Sequence, residues 1–443
     1  MSFVRSPLFT DLYELTMAQA YFAEHMQEAA VFELAFRELP QNRNYILASG
    51  IGDVIDFVTD FRFTAGDLDY LRSLGQFSGE FLKRLEQVRF SGDIYAIPEG
   101  TAVFPNEPLV QVIAPILEAQ LLETFVLNQI HFQSLAAAKA ARVVTAAQGR
   151  MVVDFGSRRA HGTDAALKVA RATYLAGGAG TSNLLAGRLY GIPVFGTMAH
   201  SYVQAHDDEL ASFEAFTRLY PDTTLLVDTY DTLEGVRKVI DLSRKLGGCF
   251  RVRAVRLDSG DLAGLAVAAR RMLDEAGLRN VTIFASSGLD EYKIQKLVES
   301  GAPIDAFGVG TKLAVSADAP DLDMAYKLVE YAGQGRFKLS ARKVLYPGRK
   351  QVFRQIDQGC MLRDVIGRFD ERLPGEALLQ PVVERGLPVG RISLLESRQR
   401  FQSEWARLPD ELRGLAPARR PYPVSISERL QADFEAVREA VGC

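Results

Sequence analysis

Cysteine is scarce in this chain. Cys249, Cys360 and Cys443 are its three cysteines, far apart and without C-x-x-C spacing. That pattern argues against a disulfide framework and against a structural zinc site, and it fits a reducing cytoplasm. Long apolar runs are missing too. Gly or a charged residue interrupts each hydrophobic stretch well short of the roughly 18 residues that a membrane span needs. The segment from Met1 to Pro7 holds no apolar core of a signal peptide. The expected compartment is therefore the cytoplasm, with no membrane contact. Neither sign of charge dominates: 51 basic and 55 acidic residues leave a net charge of −4. Such a chain has no global field for nucleic acid or anionic lipid, so an anionic ligand must be held by a local cluster of Arg and Lys. Low-complexity tracts and short repeats are absent.

What is present is a globular composition. Of 443 residues, 48% are hydrophobic and 24% charged, enough apolar surface for a large core and a length that suggests two or three domains. The first third mixes elements. Residues 11–25 read as a helix, with Thr10 as a candidate cap and Leu12, Leu15, Ala18 and Phe22 on one face. Residues 31–36, 93–98 and 108–114 read as strands, and 119–147 as a long Ala-rich helix.

From Met151 short β-branched runs alternate with helical stretches. Strands are expected at 151–155, 192–196, 223–227, 253–257, 280–285 and 304–309, with helices near 182–189, 209–219, 233–246, 262–276 and 291–299. This is the rhythm of a parallel β/α sheet. Strand-like segments return at 326–331, 336–339 and 352–356, with Gly333-Gln334-Gly335 as a hairpin turn and helices near 397–405 and 427–441. The expected class is α/β, a β/α barrel over 136–325 flanked by a discontinuous second domain built from 1–135 and 326–443.

The chemistry concentrates after the central strands. Their ends read Asp154-Phe155-Gly156-Ser157-Arg158-Arg159, Gly196-Thr197-Met198-Ala199-His200-Ser201, Asp228-Thr229-Tyr230-Asp231, Arg256-Leu257-Asp258-Ser259-Gly260-Asp261, Ser286-Ser287-Gly288 and Gly308-Val309-Gly310-Thr311-Lys312. In β/α barrels these ends converge on one mouth, where active sites lie. Each segment alone also suits a turn or a helix cap; six in succession point to a site. Gly308 to Thr311 fits either a backbone phosphate cradle or a tight strand-to-helix turn, and it is not a Walker loop. Arg158 and Arg159 offer planar cationic forks for phosphate or carboxylate. Asp258 and Asp261 fit a metal bound through pyrophosphate, or a helix cap. Among the five histidines, His25, His131 and His206 sit in helical contexts, and His161 follows the Arg pair. His200 stands in a small-residue loop past a strand end, a position suited to a nucleophile or an acid/base group.

These motifs, with Thr10-Asp11-Leu12-Tyr13-Glu14-Leu15-Thr16-Met17 and Pro421-Tyr422-Pro423-Val424, resemble nicotinate phosphoribosyltransferases in order along nearly the whole chain. The resemblance implies an irregular β/α barrel, an α/β sandwich domain and a homodimer with active sites shared between subunits. It implies transfer of phosphoribosyl from phosphoribosyl pyrophosphate to nicotinate, driven by ATP through a phosphorylated histidine, with Mg²⁺ brought by the phosphates. His200 falls at the phosphohistidine position, and Asp228 is expected to orient it, by analogy with the related nicotinamide enzyme. Tyr13, reaching across the dimer, and Phe155 are expected to sandwich the pyridine ring. Arg256 and Thr197 fall near the nicotinate carboxylate. Thr311, with Gly308 and Gly310, falls at the 5-phosphate, and Arg158 and Asp258 at the phosphoribosyl moiety and its Mg²⁺.

The nicotinamide-using relatives carry an Asp where this chain has Ser182. An Asp there would repel a carboxylate, so Ser182 favours nicotinate. Two further readings stand beside this one: a silent copy that senses NAD precursors, and a phosphate-binding barrel enzyme such as an aldolase. The first would have no chemical need for His200, Arg256, Asp258 and Thr311 together. The second needs a Schiff-base Lys on a strand, and Lys312, the nearest, lies past one.

Overall fold

The computed structural model describes residues 6–338, 345–390 and 393–441. Residues up to Leu135 and from Asp321 onward form one unit; Ala136–Pro320 form the other. Residues 321–325, expected within the barrel domain, thus belong to the first unit. The reason is pairing: the strand Met324–Tyr331 lies antiparallel to Ala29–Phe36, from the opposite end of the chain.

That pair sits inside a seven-stranded antiparallel sheet to which both ends of the sequence contribute. Ala29–Phe36 also pairs with Val110–Pro115, which pairs with Asp93–Ala96. Phe32 stacks on Tyr326 at 4.9 Å between ring centres, and Phe36 is fully buried. A second sheet joins Lys350–Asp357, Cys360–Arg368 and Val424–Ile426. Arg354 is buried there between Asp364 and Glu404, and Tyr422 donates its hydroxyl to Asp364 while its ring stacks on Phe104 at 3.8 Å. Aromatic packing and neutralised buried charge together seat the C-terminal segment.

Three details differ from expectation in this unit. Asp11, not Thr10, caps the helix Leu12–Ala23, in a capping box with Glu14. The hairpin turns at Ala332-Gly333, with φ of 53° and 72°, so Gln334 and Gly335 are already strand. Both residues take the left-handed conformation that a two-residue hairpin demands. The strand expected at 336–339 is absent over Arg336 to Lys338, and Leu339 lies outside the described residues.

The second unit holds six parallel strands: β1 (Met151–Asp154), β2 (Gly180–Thr181), β3 (Thr224–Leu226), β4 (Ala254–Leu257), β5 (Thr282–Ala285) and β6 (Ala306–Val309). Their order is β2-β1-β6-β5-β4-β3. The first and last strands are therefore neighbours, as in a closed barrel, and the sheet is open between β2 and β3. The strand expected at 192–196 falls in that opening. It is reduced to one bridge, Thr181 to Val194, in which Thr181 N–H donates to Pro193 and Phe195 N–H donates to Thr181. Pro193 has no N–H to extend a ladder.

Helices α1 (Thr163–Leu175), α2 (Leu184–Tyr190), α3 (His200–Gln204), α4 (Glu209–Leu219), α5 (Thr232–Leu246), α6 (Leu262–Glu275), α7 (Glu291–Glu299) and α8 (Thr311–Ala314) fill the connections. Buried Lys139 and Arg142, on the long helix Glu123–Ala146, both pair with Glu291 of α7.

Candidate functional site

Parallel strands in register bring their C-terminal ends to one edge. At the end of β1, Asp154 is fully buried and receives the Gly156 N–H and the Thr181 hydroxyl, each at 2.7 Å. Burial raises its pKa, and those two hydrogen bonds oppose the rise. Asp154 thereby fixes the turn that presents Phe155. The Phe155 ring lies 5.6 Å from Phe284, nearly parallel to it. Gly308 on β6 makes room for it, since a Cβ there would sit 2.7 Å from the Phe155 ring and 2.8 Å from Phe284. We expect Gly308→Ala to cost about 1–3 kcal/mol through overpacking, seen as a lower urea midpoint with an unchanged slope. A wild-type midpoint would show that the ring has space to spare.

Arg256, on β4, spreads its guanidinium over the Phe155 ring, 5.4 Å from the ring centre. Each of its three nitrogens donates one hydrogen bond, and each terminal nitrogen keeps a second N–H. Nε donates to Ser286 at 2.8 Å, one terminal nitrogen to Thr197 at 2.9 Å and the other to Asp258 at 2.9 Å. Ser286 is buried and hydrogen-bonds Asp258 as well. Burial works against ionisation of Asp258, yet Ser286, Arg256 and His200 together hold its pKa below the usual carboxylate value. The carboxylate is thus an anion, with Oδ1 spent on Arg256 and Ser286 and Oδ2 facing Nε2 of His200 at 3.7 Å.

His200 opens α3 with its side chain 41% exposed, reachable by a ligand. Its Nδ1 lies 3.2 Å from the Thr229 hydroxyl. This corrects the expectation for Asp228. Asp228 accepts from the Asp258 N–H at 2.9 Å and the Ser259 hydroxyl at 2.6 Å, so it braces the loop after β4 and makes no hydrogen bond to His200. Its other oxygen is buried and lacks a hydrogen-bond partner among the described residues.

The remaining expected residues divide. Thr197 joins the Arg256 network. Arg158 is exposed on the short turn Ser157–Arg159 and pairs with no carboxylate among the described residues. Gly310 caps α8 and Thr311 begins it, at the end of β6, with Thr311 exposed. Gly308 has a packing role and is buried against Phe155. Tyr13 belongs to the first unit, on the helix Leu12–Ala23, 45% exposed, with its hydroxyl pKa raised by burial and by Glu123. Among the other histidines, His131 accepts the Leu322 N–H at 2.9 Å and His206 Nδ1 lies 2.9 Å from the Tyr202 carbonyl. Among the described residues no group of three or more His, Cys, Asp or Glu could hold a metal. None of their helices is long and apolar enough to cross a membrane.

Comparison with known proteins decides the family. The model of the nicotinate phosphoribosyltransferase N-terminal domain matches residues 8–131, and that of the nicotinate phosphoribosyltransferase family matches residues 151–338. The chain belongs to the nicotinate phosphoribosyltransferase family. Nicotinate phosphoribosyltransferase pncB2 of Mycobacterium tuberculosis is 61% identical to it over 438 residues, 98% of this chain and 94% of that protein. The nicotinate phosphoribosyltransferase of Bacillus subtilis is 42% identical over 383 residues, covering 84% of this chain and 78% of that one. The crystal structure of human nicotinic acid phosphoribosyltransferase aligns over 97% of this chain and 99% of its own, with a TM-score of 0.87 and 30% identity. The open barrel and the discontinuous α/β domain are thus the architecture of the family.

Two features of this nicotinate phosphoribosyltransferase relative escape sequence reasoning. Ser286 and Thr229 occur in the strand-end segments, but nothing in their spacing marks them as partners of Arg256 and His200. In the first unit, a cavity of about 440 Å³ is lined by Arg37, Lys327, Lys338 and Lys350 and, among the described residues, by one carboxylate, that of Glu33. Arg37 comes from the other end of the chain and the three lysines are spread over residues 327–350, so no local motif announces them. Lys350 pairs with Glu33 at 2.9 Å, and Arg37 with Asp323 at 3.4 Å.

Proposed function

We propose that this protein joins nicotinate to the phosphoribosyl group of phosphoribosyl pyrophosphate, releasing pyrophosphate and forming nicotinate mononucleotide, with ATP hydrolysis coupled through His200. The observation that carries the reading is the Arg256 network at the Phe155 ring. A planar aromatic acid stacked on Phe155 would bring its carboxylate to a guanidinium already held in place by Thr197, Ser286 and Asp258. Preorganised cationic forks of this kind bind carboxylates without reorganising. Neutral nicotinamide gains nothing comparable from Arg256, and Ser182 offers its amide no carboxylate.

In the transfer step the pyridine nitrogen attacks C1 of the sugar as pyrophosphate leaves, with positive charge developing on the ribosyl ring. The protein's part is alignment and neutralisation of the leaving group. Thr311 and the backbone beside Gly310 take the 5-phosphate, and exposed Arg158 meets the phosphoribosyl anion. Asp258 lies on the sugar side of the base. Mg²⁺ would enter as the counter-ion of the phosphates. Tyr13 of a second subunit closes the other face of the pyridine ring in a homodimer with shared sites. In the coupling step a neutral imidazole nitrogen of His200 attacks the γ-phosphorus of ATP, the P–N bond forms and ADP leaves; water later cleaves that bond to give phosphate.

The direct test is product identity. With nicotinate, phosphoribosyl pyrophosphate, Mg²⁺ and ATP, mass spectrometry should find nicotinate mononucleotide and ADP appearing together. Nucleotide product without ADP would remove the coupling step, and no mononucleotide would remove the transferase reading.

A further inference from the structure

The two residues that follow β3 and Val227 point at different partners. Asp228 accepts from the backbone of Asp258 and the hydroxyl of Ser259. Thr229, its neighbour, carries the hydroxyl 3.2 Å from Nδ1 of His200. The backbone of His200 is set by the short helix His200–Gln204, but its imidazole is 41% exposed and turns about two side-chain bonds. Asp258, at 3.7 Å from Nε2, lies beyond hydrogen-bonding distance. The Thr229 hydroxyl is the ring's hydrogen-bond partner among the described residues. We propose that Thr229 is the positioning residue for His200, holding the imidazole by Nδ1 so that the ring keeps one orientation through the coupling cycle. This inference rests on the assignment of His200 as the phosphate acceptor.

A hydroxyl suits the task better than a carboxylate. It donates to a bare Nδ1 and accepts from a protonated one, so it serves either tautomer of the ring. A carboxylate only accepts, and would fix the proton on Nδ1. The hydroxyl therefore sets ring orientation without dictating which nitrogen carries the proton. Asp228 is left to brace the loop that carries Asp258, whose Oδ2 faces the opposite side of the ring at 3.7 Å. Thr229 touches neither the base nor the phosphates in this scheme, so its loss should slow phosphorylation without weakening ATP binding.

Thr229→Val keeps the shape and removes the hydroxyl; Thr229→Ser keeps the hydroxyl. Two readouts are taken on the full-length protein. The first is the ¹⁵N signals of the His200 imidazole, assigned by their loss in His200→Gln and recorded without ATP. Thr229→Val should move the Nδ1 resonance, and Thr229→Ser should leave it near the wild-type position. The second is the rate of acid-labile phosphate uptake from γ-labelled ATP. Thr229→Val should lower it about tenfold at saturating ATP, the scale of one lost hydrogen bond, with half-saturation by ATP within about twofold of wild type. Thr229→Ser should restore the rate. Wild-type ring signals and rate in Thr229→Val would overturn the proposal. So would a Thr229→Ser variant as slow as Thr229→Val, which would assign the effect to the methyl group. If the wild-type protein takes up no phosphate, the coupling reading fails alone, and the ring signals still decide whether Thr229 holds His200.

Discussion

Removing the His200 imidazole should abolish acid-labile phosphate uptake from ATP. In His200→Ala the uptake falls by roughly a thousandfold or more, the scale of losing a covalent nucleophile, and the turnover that remains is indifferent to ATP. The structure makes the experiment clean. Asp258 keeps its hydrogen bonds to Arg256 and Ser286 when the ring is gone, so the base-binding side of the site keeps its anchors. The side chain is also 41% exposed, so little packing is lost with it. The check is label retained on the intact protein after gel filtration, beside pyrophosphate release with and without ATP. ATP stimulation that survives in His200→Ala would assign the coupling to another group.

The second large effect is expected at Arg256. Its three nitrogens donate to Thr197, Ser286 and Asp258 at 2.8–2.9 Å, and its guanidinium carbon lies 5.4 Å from the centre of the Phe155 ring. Arg256→Ala removes the charge that the nicotinate carboxylate would meet, and it also frees Asp258 to repel that carboxylate. A lost charge-assisted hydrogen bond alone weakens binding by roughly 10- to 100-fold. With the added repulsion we expect the nicotinate KM to rise about 100-fold, while the KM for ATP changes by less than about threefold. Lys in this position would not rescue, since a single ammonium cannot reproduce a planar fork with three fixed partners. Equal rises in the two KM values would remove Arg256 from the carboxylate role.

Much of this arrangement was legible in the residues, and the exceptions have physical causes. Strands β1, β4, β5 and β6 announce themselves through buried Val, Ile, Leu and Phe runs, and α4 and α7 fall on the residues that their apolar spacing marks. Strand β2 has no signal in the sequence because it is two residues long, at the end of the Gly-rich stretch 177–180, with no β-branched run. The β-rich segment at 192–196 misled in the opposite sense: its composition favours a strand, but Pro193 limits it to a single bridge. Thr197, His200, Arg256 and Asp258 come together because parallel strands place their ends at one edge, a rule that needs only the order of elements. Their pairings do not follow from it. Which of Asp228 and Thr229 faces His200 depends on side-chain directions after β3, and adjacent positions in a sequence carry no mark of that difference. Likewise the roles of Gly308 and Gly310 look alike in the motif, and only the position of the Phe155 ring separates the packing glycine from the one that caps α8.

The account is tested most directly by pyrophosphate release from phosphoribosyl pyrophosphate and Mg²⁺, with nicotinate, nicotinamide or quinolinate as the base, each with and without ATP. It predicts release with nicotinate, stimulated by ATP, and little with the other two. A preference for nicotinamide would contradict the roles given to Arg256 and Ser182, and nicotinate turnover indifferent to ATP would contradict the role given to His200.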